Sequence, residues 1–70
     1  MPDRTPIAAW IREERTRRSL SVGALADALG AHTVSVHRWE SGARRPNLAT
    51  LCALSKWAGK PLDELVEMAG

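Results

Sequence analysis

Thr33, Val34, His37, Arg38 and Ser41 recur at intervals of three and four within one short stretch of the chain. On a helix that spacing gathers them onto one face, opposite Val36, Trp39 and Glu40. The row offers hydroxyls, an imidazole, a guanidinium and an apolar tip to whatever lies against it. Arg38 is the most specific of these groups, because its fork can give two hydrogen bonds to the paired acceptors of a guanine. Shortly after come Arg44, Arg45 and Asn47, groups that grip phosphate and set register without reading sequence. The helix expected to start there adds free N–H groups for a phosphate oxygen, and Ser21, Val22 and Ser41 can supply further main-chain or hydroxyl donors.

Other chemistry is poorly provided for. Cys52, His32 and His37 do not have the spacing of a closed zinc site. A single cysteine on an apolar stripe is ordinarily a small core residue. No nucleophile is paired with a base and no glycine-rich phosphate loop occurs, so no catalytic role is expected. Nor is a metal, cofactor or small-molecule ligand implied. Cys52, being alone, can form no internal disulfide, which points to a reducing cytoplasm. Nothing resembles a signal peptide, and no apolar run approaches the ~20 residues of a membrane span.

Seventy residues make one small domain with little core to spare. Ala, Leu, Arg and Glu dominate and β-branched runs are missing, which favours helix throughout. The formal charge is only +2, but residues 1–46 hold eight of the ten basic side chains, while Asp63, Glu64 and Glu67 make the other end acidic. One basic face and one neutral-to-acidic end suit a nucleic-acid binder with a separate partner surface.

Five short helices must position the reactive row. Residues 1–5 read as a flexible arm, with Thr5 as cap and Pro6 in the first turn of a helix. Ile7, Ile11 and Arg15 share a stripe, with Trp10 beside it and Arg12, Glu13, Glu14, Arg17 and Arg18 on the outer side. Ser21 caps a second helix carrying Leu25, Ala26 and Leu29, which stops at Gly30. The third helix holds the row described above. After the loop from Gly42 to Pro46, Asn47 caps a fourth helix with Leu48, Leu51, Leu54 and Ala58 inward and Cys52 alongside. Pro61 opens a fifth, with Leu62, Leu65, Val66 and Ala69 inward. The expected result over residues 6–70 is an all-α orthogonal bundle.

The spacing of Leu25-Ala26, Leu29-Gly30, Val36, Trp39-Glu40, Gly42 and Pro46 resembles the phage-repressor (Cro/XRE-like) helix-turn-helix family, over about Ile11 to Leu65. The resemblance implies a lambda-repressor-like fold whose second and third helices form the helix-turn-helix. It implies that Arg15 and Glu40 meet and fix the angle of the third helix. It places that helix in the major groove of double-stranded DNA, with Thr33, Val34, His37 and Arg38 toward the bases. Val34 and the Thr33 methyl can then touch thymine methyls. Arg44, Arg45, Asn47, Ser21, Val22 and Ser41 fall to the phosphates. The family also implies a regulator, typically a repressor, that reads a near-palindrome as a symmetric dimer. Trp57, Leu62, Leu65 and Met68 are the candidates for that interface. The alternative is an antitoxin or adaptor module that mainly holds a protein partner.

The sequence departs from the family pattern at three places. Ser19 stands where glycine is common after the first helix. His32 occupies the usual cap of the third helix, which leaves Thr33 as an alternative cap and would move the reading face by one residue. Trp39 fills a slot that is more often aliphatic and is expected to widen the spacing between helices.

Overall fold

The computed structural model describes residues 6–69, so the expected arm and the Thr5 cap lie outside the described residues. Five helices follow in order: α1 (Pro6–Arg17), α2 (Val22–Leu29), α3 (Thr33–Ser41), α4 (Leu48–Ala58) and α5 (Leu62–Ala69). Pro6 is the first helical residue of α1, where its missing N–H costs nothing. None of the described helices is long and apolar enough to cross a membrane.

The helices are too short to hold themselves together, so packing supplies their stability. Each contributes an apolar stripe to one core: Ile7 and Ile11 from α1, Leu25 and Ala26 from α2, Val36 and Trp39 from α3, Leu51 and Leu54 from α4, Leu65 and Ala69 from α5. Burying side chains of this size contributes about 1.5–3 kcal/mol each. α3 lies against both α1 and α2, α4 packs on α2 and α5, and α5 returns to α1. The helices therefore pack in a ring, α1 to α3 to α2 to α4 to α5 and back to α1, with one long face of α3 left outside.

Two expected core positions are outside it. Leu48, the first residue of α4, is 63% exposed, while Leu51 and Leu54 take the inward stripe. Val66 is 44% exposed; an eight-residue helix can turn only a narrow stripe inward, and Leu65 and Ala69 occupy it. Ala58 and Cys52 are half-buried. Glu14 and Arg18, expected on the outer side of α1, are also drawn partly in. Arg17 and Arg18 both donate to the Glu14 carboxylate, and the Arg18 guanidinium lies 4.4 Å from the centre of the Trp57 ring.

The turn joining α2 to α3 is tight because Gly30 adopts φ 66°, a left-handed conformation glycine enters cheaply. Its N–H donates to Ala26 and Asp27 carbonyls, and the Ala31 N–H returns to Ala26 at 2.8 Å. α1 ends the same way without glycine. Ser19 has φ 56°; its N–H reaches the Thr16 carbonyl at 2.9 Å, and the Leu20 N–H reaches Arg15 at 3.0 Å. The sharp turn is thus kept with serine in the glycine position.

Candidate nucleic-acid interface

Arg15 and Glu40 fix the tilt of α3. Arg15 Nε donates to Glu40 Oε2 at 2.7 Å and Nη2 to Oε1 at 3.0 Å, a paired contact between α1 and α3. Its remaining nitrogen, Nη1, donates to the Leu20 carbonyl at 2.9 Å. One side chain therefore ties the end of α1, the turn into α2 and the back of α3. Glu40 is 9% exposed, and the hydrogen bonds to its carboxylate hold the Arg15 pKa above the usual arginine range.

His32 is the N-cap residue of α3, in extended conformation (φ −91°, ψ 147°), and makes no side-chain cap bond. Thr33 is the first helical residue and does not cap, so the outward face of α3 keeps its unshifted register. The helix starts without a side-chain cap because the turn before it is already fixed by Gly30 and Ala31. Thr33, Val34, His37, Arg38 and Ser41 are all exposed, and Val36, Trp39 and Glu40 are all buried. The Trp39 ring fits inside the core at 6% exposure.

A groove flanks α3 on each side. The first, about 390 Å³, runs between α3 and the start of α4, with Ser35 and Arg38 on one wall and Arg44, Arg45 and Asn47 on the other. The second, about 300 Å³, separates α3 from α1 and α2; His37 and Ser41 face Arg12 and Val22 across it, with the Arg15–Glu40 pair beside them. Cations thus stand on both flanks of the polar row. Arg12 is a residue that sequence reasoning missed: periodicity put it on the outer side of α1, and only the packing of α1 beside α3 brings it to this groove.

Several expected phosphate contacts already have internal partners. Ser21 Oγ accepts from the Ala24 N–H at 3.0 Å, and Asn47 Oδ1 accepts from the Thr50 N–H at 2.8 Å, so both cap their helices. The Ser21 hydroxyl hydrogen and the Asn47 amide hydrogens stay free to donate outward. Ser41 differs, since its hydroxyl donates to the Arg38 carbonyl at 3.2 Å and accepts from the Ala43 N–H at 3.3 Å. Arg44 and Arg45 are exposed, and Val22 is half-buried at the start of α2. The proposed interface at the other end fares unevenly. Leu62, Met68 and Trp57 are half-buried, whereas Leu65 is fully buried in the core and has no surface to offer a partner.

A family model described as helix-turn-helix matches residues 11–65. A search of curated proteins and of solved structures finds no match. The matched span takes in all of α2, α3 and α4 and the Arg15–Glu40 pair that sets their angle. On that ground the chain belongs to the Cro/XRE-like helix-turn-helix family, and is a DNA-binding protein of the regulatory kind with a lambda-repressor-like all-α fold.

Proposed function

We propose that the chain is a transcriptional repressor that reads a near-palindromic operator as a homodimer, with α3 in the major groove. The observation that carries this reading is the face of α3 itself. A polar outer face is ordinary on a surface helix; what sets α3 apart is that its outer face lies between two grooves with arginines on both sides. A major groove about 12 Å wide admits one helix, and its two bordering backbones then fall beside the two grooves. Thr33, Val34, His37 and Arg38 face the bases; Arg44, Arg45 and Asn47 hold one backbone, and Arg12, Ser21 and Val22 the other. Ser41 contributes least, because its hydroxyl hydrogen is already engaged.

The case for a dimer is dimensional. The molecule measures 27 × 25 × 20 Å, so one copy cannot place helices in two major grooves about 34 Å apart. Leu62 and Val66, one turn apart on α5, offer an apolar edge for a second copy, with Trp57 and Met68 as further candidates. A body of this size seated on a promoter represses by occupancy. The setting is a reducing cytoplasm, in keeping with the lone Cys52.

Fluorescence titration of duplexes selected from a random pool, repeated across a salt series, tests this. Affinity for the selected sites should fall steeply with salt, and Arg38→Ala should cost about 1–3 kcal/mol on the preferred site while flattening discrimination. Equal, weak binding to every duplex would refute the reading.

A further inference from the structure

The larger groove, between α3 and the start of α4, is lined by Arg38, Arg44 and Arg45 together with His32, and no carboxylate stands among its lining residues. None of these arginines takes part in an ion pair among the described residues. The Arg44 N–H donates to the Arg38 carbonyl at 3.2 Å, which holds the loop carrying Arg44 and Arg45 against the end of α3. One hydroxyl of α3 lines the same groove, that of the half-buried Ser35. It lies one turn before Arg38, and residues three apart on a helix have Cβ atoms about 5–6 Å from each other.

The serines differ in what their hydroxyls do. Ser21 caps α2, Ser41 bonds the Arg38 carbonyl and the Ala43 N–H, and Ser55 donates to the Lys60 carbonyl at 2.6 Å. The Ser35 hydroxyl makes no hydrogen bond among the described residues; nor does that of Ser19, which lies outside the groove. Thr50 lines the opposite wall, but in a helix already capped by Asn47. Ser35 is in the first turn of α3, which has neither a side-chain cap nor an acidic residue. An uncapped turn opens more readily than a capped one, and opening gives a modifying enzyme access to the hydroxyl.

Resting on the reading of α3 as the helix that docks on DNA, we propose that Ser35 is a phosphorylation site whose phosphate folds onto Arg38, Arg44 and Arg45 and releases the chain from DNA. A separate serine kinase supplies the group from a nucleoside triphosphate. Ser35 Oγ attacks the γ-phosphorus and the Oγ–P bond forms. The bond from that phosphorus to the bridging oxygen breaks, and the nucleoside diphosphate leaves with the electron pair. The hydroxyl proton passes to the base of the kinase. The phosphate brings a charge of about −1.5 to −2 and three acceptor oxygens. A guanidinium that pairs with it no longer pairs with a DNA phosphate, and the added charge repels the backbone bordering this groove. Its place in the first turn also meets the positive end of the α3 dipole.

The test compares the full chain synthesised with phosphoserine at position 35, the unmodified chain and Ser35→Ala. Phosphorus NMR should place the second ionisation of the phosphate below its ordinary value of about 6. The double variant Arg44→Ala, Arg45→Ala should return it there. On a duplex enriched from a random pool by the unmodified chain, the phosphorylated chain should bind about a hundredfold more weakly, a factor of about ten for each of two charged hydrogen bonds forgone. Its slope of log affinity against log salt should be shallower by about 2. Ser35→Ala should bind as the unmodified chain does. Mass spectrometry of the chain isolated from its own cells across growth phases should find phosphate on Ser35. An ordinary phosphate ionisation, an unchanged affinity, or phosphate never found on Ser35 overturns the switch alone. An unmodified chain that enriches no duplex overturns the docking reading, and the switch with it.

Discussion

Ser19 and Glu40 show how much of this small domain hangs on single side chains. Ser19 holds a left-handed backbone with φ 56°, a conformation that costs a residue with a Cβ about 1–2 kcal/mol. Ser19→Gly should raise stability by about 1 kcal/mol, because relief of that strain outweighs the added freedom of the unfolded chain. Urea unfolding checks the sign. Glu40→Ala should do the reverse. It leaves the Arg15 guanidinium in the packed angle between α1 and α3 with only the Leu20 carbonyl as partner. Breaking a fully buried pair costs about 3–5 kcal/mol and an exposed one under about 1. Arg15 keeps 18% of its side-chain exposure, which places the loss at about 2 kcal/mol, or roughly 10 °C in a domain of this size. DNA affinity should also fall, since the angle of α3 is no longer fixed; a variant as stable as the parent would show that the pair is only a solvated contact.

Among the elements, α1 does more than cover the core. Its last turn gathers Arg17 and Arg18 onto Glu14, and Arg18 carries the link across to Trp57 of α4. The Arg18 hydrogen bond first, and that from Arg17 next, holds the Glu14 carboxyl below the ordinary glutamate range. A carboxylate with a lowered folded-state pKa contributes stability that is whole above its unfolded value, about 4.3. That stability is lost as pH falls through the folded value. Glu14→Gln should therefore be about 0.5–1 kcal/mol less stable than the parent at pH 7, with the gap closing as pH falls below the unfolded value and through the lowered folded one. Thermal unfolding followed along the acid limb measures it, and a gap constant with pH would mean that the charge of Glu14 is not responsible. α2 and α4 begin with side-chain caps from Ser21 and Asn47, whereas α3 has none. The start of α3 is thus set by the preceding turn and its neighbours, while its other end closes at Gly42, whose left-handed backbone (φ 81°) returns its N–H to the Trp39 carbonyl.

For the molecule as a whole, polarity is the organising feature. Arg12, Arg38, Arg44 and Arg45 border α3, and Asp63, Glu64 and Glu67 lie on α5. In the proposed docking, this separation keeps the acidic helix away from phosphate. If Leu62 and Val66 form a dimer edge, Val66→Glu should place like charges across the two-fold axis. Sedimentation should then show monomer, and cooperative binding to a two-half-site duplex should be lost while half-site affinity stays near the parent's. Val66 is exposed, so the substitution leaves the core intact. Unchanged self-association would move the interface elsewhere.

Much of this was legible beforehand. The intervals between Leu25, Ala26, Leu29, Val36, Trp39 and Glu40 required two short helices with their backs to a common core, because the helical period leaves no other way to bury those side chains. The same period put Thr33, Val34, His37 and Arg38 outside, and Gly30 marked the turn. Periodicity works one helix at a time, however. It could not tell that α4 turns Leu48 to solvent while Leu51 and Leu54 go inward, or that α5 turns Leu65 inward and Val66 outward. Nor could it show that Ser19 would hold the left-handed turn, or that Arg12 would come to stand beside His37. Those outcomes depend on how close one helix lies to another, a property of the packed core that no single stretch of sequence contains.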